Sequence, residues 1–257
     1  MNVLVLLAAI LFVLMMLIGG NKGVRSFLAL FFNFGVLFLS IIIMTNPAAN
    51  PIIITLIACI VISCINLFFI NEVNTKSIIA FISTIITSVI LIFFIVIVAK
   101  GAMIQGFGEE EVEELSIFSL HIGIDFMKIG ASVIIISTIG AIIDVAISIA
   151  SPMREIFIHN PLIGRKDLFL SGMSIGKDIL GTSANTLFFA FFGSYLALLI
   201  WFKDLSYSVG EIVNSKIFSA EIINILFAGI GVALNIPITA LLTAYYLVKT
   251  RKNNESV

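Results

Sequence analysis

A chain of 257 residues that is 60% hydrophobic and 11% charged departs from soluble domains, where the shares are roughly 45–50% and 25%. With a mean hydropathy of +1.21 it cannot hide its apolar side chains in a water-facing globule, so lipid must solvate its outer surface. The formal net charge of -1 says little as a total; the placement of the charges carries the information.

A membrane span needs about 20 apolar residues at ~1.5 Å rise each. Taken in chain order, the candidates are Val3–Gly19, Phe27–Thr45, Ile52–Ile70, Ile78–Ala99, Gly123–Ala150, Thr182–Phe202 and Ala220–Val248. The first run has no positive charge before it and no small-residue cleavage site after it, so it is expected to be a retained helix and not a signal peptide. The early breaks carry turn chemistry: Gly19-Gly20-Asn21-Lys22-Gly23, Asn46-Pro47-Ala48-Ala49-Asn50-Pro51 and Asn71-Glu72-Val73-Asn74. No polar stretch is long enough for a second core, so residues 1–257 are expected to form one all-α, polytopic transmembrane helix bundle of about seven spans.

Lysines and arginines set the orientation. With the N-terminus outside, the cytoplasmic set is Lys22, Arg25, Lys76, Arg154, Arg165, Lys166, Lys177, Lys249, Arg251 and Lys252. The external set is Lys100, Lys203 and Lys216, with Lys128 just inside span five. Basic residues are retained on the cytoplasmic side, so the expectation is N-terminus out and C-terminus in.

Cys59 and Cys64 sit in one apolar run, roughly 140° apart around a helix, with no Cys/His metal spacing nearby. They read as small apolar residues of a membrane helix. The loop before span five holds Glu109, Glu110, Glu111, Glu113 and Glu114. This cluster reads as a solvated turn or as an attractor of divalent cations or a basic partner. Without interleaved Asp, Asn and Gly ligands it does not spell a calcium loop. His121, Asp125 and Lys128 follow at helical spacing, as a local salt bridge or a cation or proton site.

In lipid, the polar residues are the informative ones. Asn33, Ser40, Ser63 and Asn66 in the first half read as helix–helix hydrogen bonds. In span five, Ser137, Gly140, Asp144, Ser148 and Ser151 share one face. A mid-membrane aspartate costs about 2.5–3.5 kcal/mol on insertion scales, so Asp144 must face a cavity or a partner.

The connection Ser151–Gly181 contains Pro152, Pro161 and Gly164, and residues 166–177 read as a short interfacial or re-entrant helix. Gly172, Gly176 and Gly181 permit close backbone approach, while Asp178, Thr182 and Asn185 line one face. The glycine spacing is not that of a phosphate loop. Asp178 also suits a helix N-terminus as a dipole partner. Span seven brings Asn235 and Pro237, and the proline leaves a carbonyl free nearby, as a cavity-lining interruption, a hinge or a packed kink.

The strings Gly140-Ala141-Ile142-Ile143-Asp144-Val145-Ala146-Ile147-Ser148-Ile149 and Gly176-Lys177-Asp178-Ile179-Leu180-Gly181-Thr182-Ser183-Ala184-Asn185-Thr186-Leu187 resemble the YibE/F-like family of bacterial membrane proteins. The resemblance covers nearly the whole chain, with Lys177 where arginine is expected, a change that keeps charge but weakens bidentate anion contact. It implies a polytopic protein of the bacterial plasma membrane, described as a permease. It also implies a pairing with a longer relative that carries an external domain. It brings no established substrate, cofactor or catalytic residue.

Three functional readings follow. The first is a permease or permease subunit for a small solute or ion, with Asp144, Ser148, Asp178, Thr182, Asn185 and Asn235 as the binding set and Pro237 as hinge. The second is a non-transporting scaffold or partner subunit, bound to a longer relative or to further copies of itself. The third is an intramembrane aspartyl hydrolase, which needs close paired carboxylates; Ile143-Asp144 and Gly176-Lys177-Asp178 lack the surrounding residues of that class. The expectation is a protein that is not an enzyme, with no cofactor and no nucleic-acid partner.

Overall fold

Long runs of Ile, Val, Leu and Phe leave backbone amides no water to bond in lipid, so each run closes its hydrogen bonds internally as a helix. The computed structural model describes residues 2–102, 104, 125–204 and 206–255, the side chains of Phe191 and of 252–255 apart. Among the described residues all regular structure is helical. In chain order the helices are α1 (Val3–Met44), α2 (Pro51–Cys64, continued by a π turn Ile65–Phe69), α3 (Thr75–Ala102), α4 (Phe126–His159), α5 (Arg165–Asp204), α6 (Val209–Asn214) and α7 (Lys216–Glu255).

Five of these are long and apolar enough to cross a membrane, and α5 makes a sixth when its two bent halves are taken as one span. Local chemistry explains several ends. Asn2, Asn50 and Asp125 each cap a helix by accepting a backbone N–H, and Pro51 occupies the first turn of α2, where no N–H is needed.

Helix α1 is two antiparallel arms. Gly20 has φ 53° and ψ -135°, a conformation open to glycine, and it breaks the helix between residues 3–19 and 21–44. Phe12 and Phe27 stack with ring centroids 4.9 Å apart, whereas a straight helix would hold them about 22 Å apart. Gly23 lies so close to the carbonyl of Met15 that a Cβ there would overlap it. The arms match the first two sequence-predicted spans.

The packed centre is α3, α4 and α7, with α5 laid along α7. Alanines and branched aliphatic residues face inward: Ala80 and Leu91 of α3, Ala146, Ile149 and Ala150 of α4, Val232, Ala240 and Ala244 of α7. Gly172 and Gly176 bring α5 against Met153, Ala240 and Ile236. Arg25 pairs with Glu72 at 2.7 Å, Lys76 donates to Ser151 at 3.1 Å, and Arg251 donates to the carbonyl of Pro161 at 2.6 Å. These contacts gather the Gly20 turn, the α2–α3 turn, the α4–α5 turn and the C-terminal end of α7 at one end of the bundle. Lys216 donates to the carbonyl of Ala102 at 3.2 Å at the other.

The structure corrects the sequence reading in three places. Residues 166–177 are not a separate interfacial helix: they open the 40-residue α5, whose 43° bend lies later, between Arg165–Ala190 and Phe192–Asp204. The glycines there serve close packing, and no residue in the stretch removes a backbone donor. Span five does not stop at Ala150 but runs through Pro152 to His159. Only the amide bond to the Ser148 carbonyl is lost, and Ala150 and Met153 hold the continuation in the core. Third, residues after Phe202 form an additional short helix, α6, fixed by a capping box between Ser208 and Glu211. Ser208 holds the Glu211 carboxyl below its ordinary range.

Candidate functional site

The exposed polar stripe of α4 and the adjacent stretch of α5 form the walls of a groove. Asp144 shares a cleft of about 200 Å³ with Ala141, Thr182, Ser183 and Thr186. Its carboxylate stands exposed on the helix surface, and neither a hydrogen bond nor an ion pair joins it to any described residue. Ser148, one turn further on, is also exposed, and its carbonyl is the one freed by Pro152. The level of Asp144 follows from Ser151, which Lys76 reaches from the end of α3. Seven residues of helix separate the two, about 10 Å of rise, which places Asp144 well inside the long apolar helix α4 and away from that end of the bundle.

The groove continues along α4 towards the opposite end. A second cavity, about 220 Å³, adjoins the first at Leu187 and is lined by Ser137, Ser194, Tyr195, Glu221 and Asn224. A third, about 120 Å³, shares Tyr195, Glu221 and Asn224 with it and reaches Lys216. The polar groups here hold one another. Tyr195 donates to Glu221 Oε1 at 2.8 Å, Asn224 Nδ2 to Glu221 Oε2 at 3.4 Å, and the Ser137 hydroxyl to Asn224 Oδ1. The three cavities thus follow one another between α4, α5 and α7, with the partnered Glu221 carboxylate towards one end and the Asp144 carboxylate, without a partner among the described residues, towards the other.

The other predicted residues separate into two groups. Asn235 is fully buried and faces away from the groove, into the α3–α4–α7 core. Its Nδ2 donates to the Ile142 carbonyl at 2.9 Å, and its Oδ1 accepts from Thr87 at 3.0 Å and Thr239 at 3.2 Å. It is a satisfied structural group, and α7 runs through Pro237 as continuous helix. Asp178 and Asn185 are exposed on α5 and line none of the three cavities. The structure therefore brings Asp144 and Thr182 together, leaves Ser148 one turn along the same face, and does not join Asp178, Asn185 or Asn235 to them.

Sequence reasoning missed Glu221, Asn224 and Tyr195. A signal was present: Glu221 is the one charged residue of the predicted span Ala220–Val248, and Asn224 follows at i+3 on the same face.

Elsewhere, Asn33 donates to Asn66 Oδ1 at 3.3 Å, a bond between α1 and the π turn after α2. Cys59 and Cys64 are free thiols. Asp125 caps α4 and pairs with Lys128 at 3.1 Å, as the local salt-bridge reading expected, and the Lys128 ammonium holds its carboxyl below the ordinary range. His121 and Glu109, Glu110, Glu111, Glu113 and Glu114 lie outside the described residues. Among the described residues no three His, Cys, Asp or Glu side chains gather as a metal site.

Long apolar helices with carboxylates and hydroxyls along an interhelical groove define a multi-pass helical membrane protein. The chain belongs to the YibE/F-like protein family, whose family model matches residues 7–249. Comparison with curated proteins and with solved structures finds no match.

Proposed function

We propose that this protein is a permease, or the permeation subunit of one, in a bacterial plasma membrane, and that its route is the α4–α5–α7 groove. The observation that carries the reading is Asp144, a carboxylate without a partner among the described residues, midway along an apolar helix in a cleft that shares Leu187 with the cavity of the Glu221 cluster. A carboxylate so placed is stable only when protonated or when a cation or partner group meets it. Asp144 is assigned the exchangeable proton or cation, with Thr182 and Ser148 supplying hydroxyls. Asp178 and Asn185 extend the polar face of α5.

With the two arms of α1 each taken as a span and α5 as one, the chain crosses seven times. The basic residues Arg25, Lys76, Arg165 and Arg251 then lie at the cytoplasmic end, which puts the N-terminus out and the C-terminus in. A role in transport and not in catalysis is part of this reading.

The exposure of Asp144, Ser148, Thr182 and Asn185 on one flank also favours a second membrane chain against that flank. A longer relative and a second copy of this chain are the two occupants to consider. A purely scaffolding role is the alternative in which the groove carries nothing.

The test is purified protein in liposomes with an internal pH dye, challenged with proton and alkali-cation gradients, for wild type and Asp144→Asn. Loss of flux in the variant with unchanged folding supports the reading. Equal flux from both proteins would refute the role of Asp144. If wild type carries nothing alone, co-reconstitution with the longer relative separates the subunit reading from the scaffold.

A further inference from the structure

The cavity at the end of the groove opposite Asp144 holds one fixed cation and one fixed anion that are not paired with each other. Lys216 and Glu221 both line it, together with Tyr195, Asn224 and the apolar side chains of Ile104 and Ile134. The Lys216 ammonium is directed to the carbonyl of Ala102 at 3.2 Å. Among the described residues the Glu221 carboxylate receives neutral donors, the Tyr195 hydroxyl and the Asn224 amide. Both side chains line the cavity, and among the described residues neither forms an ion pair.

We infer that this cavity is a recognition site for a small zwitterionic solute of the amino-acid class, bound with its carboxylate at Lys216 and its ammonium at Glu221. The inference rests on the proposed permease reading and supplies the class of solute that reading lacks.

Three observations support the assignment. First, a neutral solute would leave both charges unmet, and a simple anion or cation would leave one; a solute with a carboxylate and an ammonium a few atoms apart meets both. Second, the size fits: about 120 Å³ is several times the ~10–15 Å³ that one water requires, room for a solute of a few heavy atoms. Third, the donors and acceptors already in place suit an ammonium. Glu221 retains lone pairs beyond those used by Tyr195 and Asn224. Asn224 Oδ1 is turned towards Ser137 and the deeper groove, where the solute's ammonium would next find oxygen. The apolar wall of Ile104 and Ile134 accommodates a short side chain. Hard oxygen donors around a single carboxylate do not make a divalent-cation site.

Recognition at this end and a proton or cation at Asp144 occupy different cavities, so one can be tested without the other. The full-length protein in detergent is titrated with glycine, L-alanine and glycine betaine. Acetate and methylammonium serve as the two half-molecules, and the midpoint of thermal unfolding is followed. Glycine or L-alanine should raise the midpoint of wild type by an amount that grows with the logarithm of concentration.

Neither half-molecule should do so at equal concentration. Lys216→Met and Glu221→Gln should each weaken the apparent affinity about tenfold or more, since each leaves one solute charge unmatched. Lys216→Arg, which keeps the charge, should retain the response and controls for folding. Gly181→Ala, at a position with open space around it and outside all three cavities, should bind glycine as wild type does.

An equal shift from acetate or methylammonium alone would overturn the assignment. So would the absence of any shift with the three zwitterions, or unchanged binding in both Lys216→Met and Glu221→Gln. A zwitterion response that survives in Asp144→Asn, with flux unaffected by that variant, would instead overturn the role given to Asp144 and leave this site standing.

Discussion

Replacing Gly176 by alanine tests whether α5 and α7 meet as closely as the fold requires. A Cβ at Gly176 would overlap the Ile236 Cγ2 methyl and come within 3.2 Å of both Cβ and Cγ1 of the same residue. Ile236 is only 4% exposed and branched at Cβ, so the three atoms cannot swing away together. Overpacking of this kind costs about 1–3 kcal/mol. Against it stands the helix-propensity gain of alanine over glycine, about 0.8–1 kcal/mol.

The net expectation for Gly176→Ala is a loss of about 1–2 kcal/mol, measured by reversible unfolding in mixed detergent. Gly181 supplies the control, because a Cβ there meets nothing within 4 Å. Gly181→Ala should be neutral or stabilising. Ile236→Ala should relieve the clash, so the double variant should lose less than the two single losses summed, a coupling of about 1 kcal/mol or more. If Gly176→Ala were as stable as Gly181→Ala, or if the double variant were additive, the close α5–α7 contact would be wrong.

Further outcomes follow from other sites. Asn235→Leu should destabilise the bundle by about 1–3 kcal/mol, because it strands the buried hydroxyls of Thr87 and Thr239 and the Ile142 carbonyl; unfolding of Asn235→Leu beside wild type checks it. Gly20→Ala should cost about 1–3 kcal/mol through its positive φ and loosen the α1 hairpin, read as lost disulfide formation between cysteines placed at positions 12 and 27. The depressed carboxyl of Asp125 makes its contribution to stability present at neutral pH. That contribution fades as the pH falls below the ordinary carboxylate value of 3.8, so Asp125→Asn should lose a small stabilisation at pH 7, differ little from wild type at strongly acid pH, and thereby flatten the acid limb of stability against pH.

Much of the bundle was legible because membrane helices announce themselves by length and apolarity. Gly19-Gly20 marked a turn that the structure makes, and the small-residue face around Asp144 did fall together. What failed was the reading of punctuation. Pro152 looked like a stop, yet a single lost amide bond does not end a helix whose next turn, at Met153, is in the core. The close approach expected of the glycines after Arg165 is present at Gly172 and Gly176, and absent at Gly181.

The site was half legible. A polar residue in a span reads the same whether it is satisfied, as Asn235 is by three partners, or unsatisfied, as Asp144 is. Only the neighbouring helix decides. Spacing along α5 placed Asp178, Thr182 and Asn185 on one face, but the groove takes Thr182 with Ser183 and Thr186 instead, since its axis does not follow a single helical stripe.

The contrast between Asn235 and Asp144 bears on how the protein works. Around Asn235 the α3–α4–α7 core settles its polar groups internally: Thr87, Asn235, Thr239 and the Ile142 carbonyl form a closed set in the packed interior. Such a core has nothing to gain from rearrangement. The α4–α5 flank is different, with Asp144, Ser148, Thr182 and Asn185 exposed and a bend in α5 just beyond them. Hydrophobic burial does not drive helices together in lipid, so uncovered polar groups dominate the energetics of that flank. Two arrangements lower its free energy: protonation or cation binding at Asp144, or contact with another polar helix. Either one couples a change at Asp144 to the position of α5 against α4, while α7 and α3 stay fixed. On the permease reading proposed above, the Asn235 core is the part expected to stay fixed and the half of α5 beyond the Gly172 and Gly176 contacts the part expected to move.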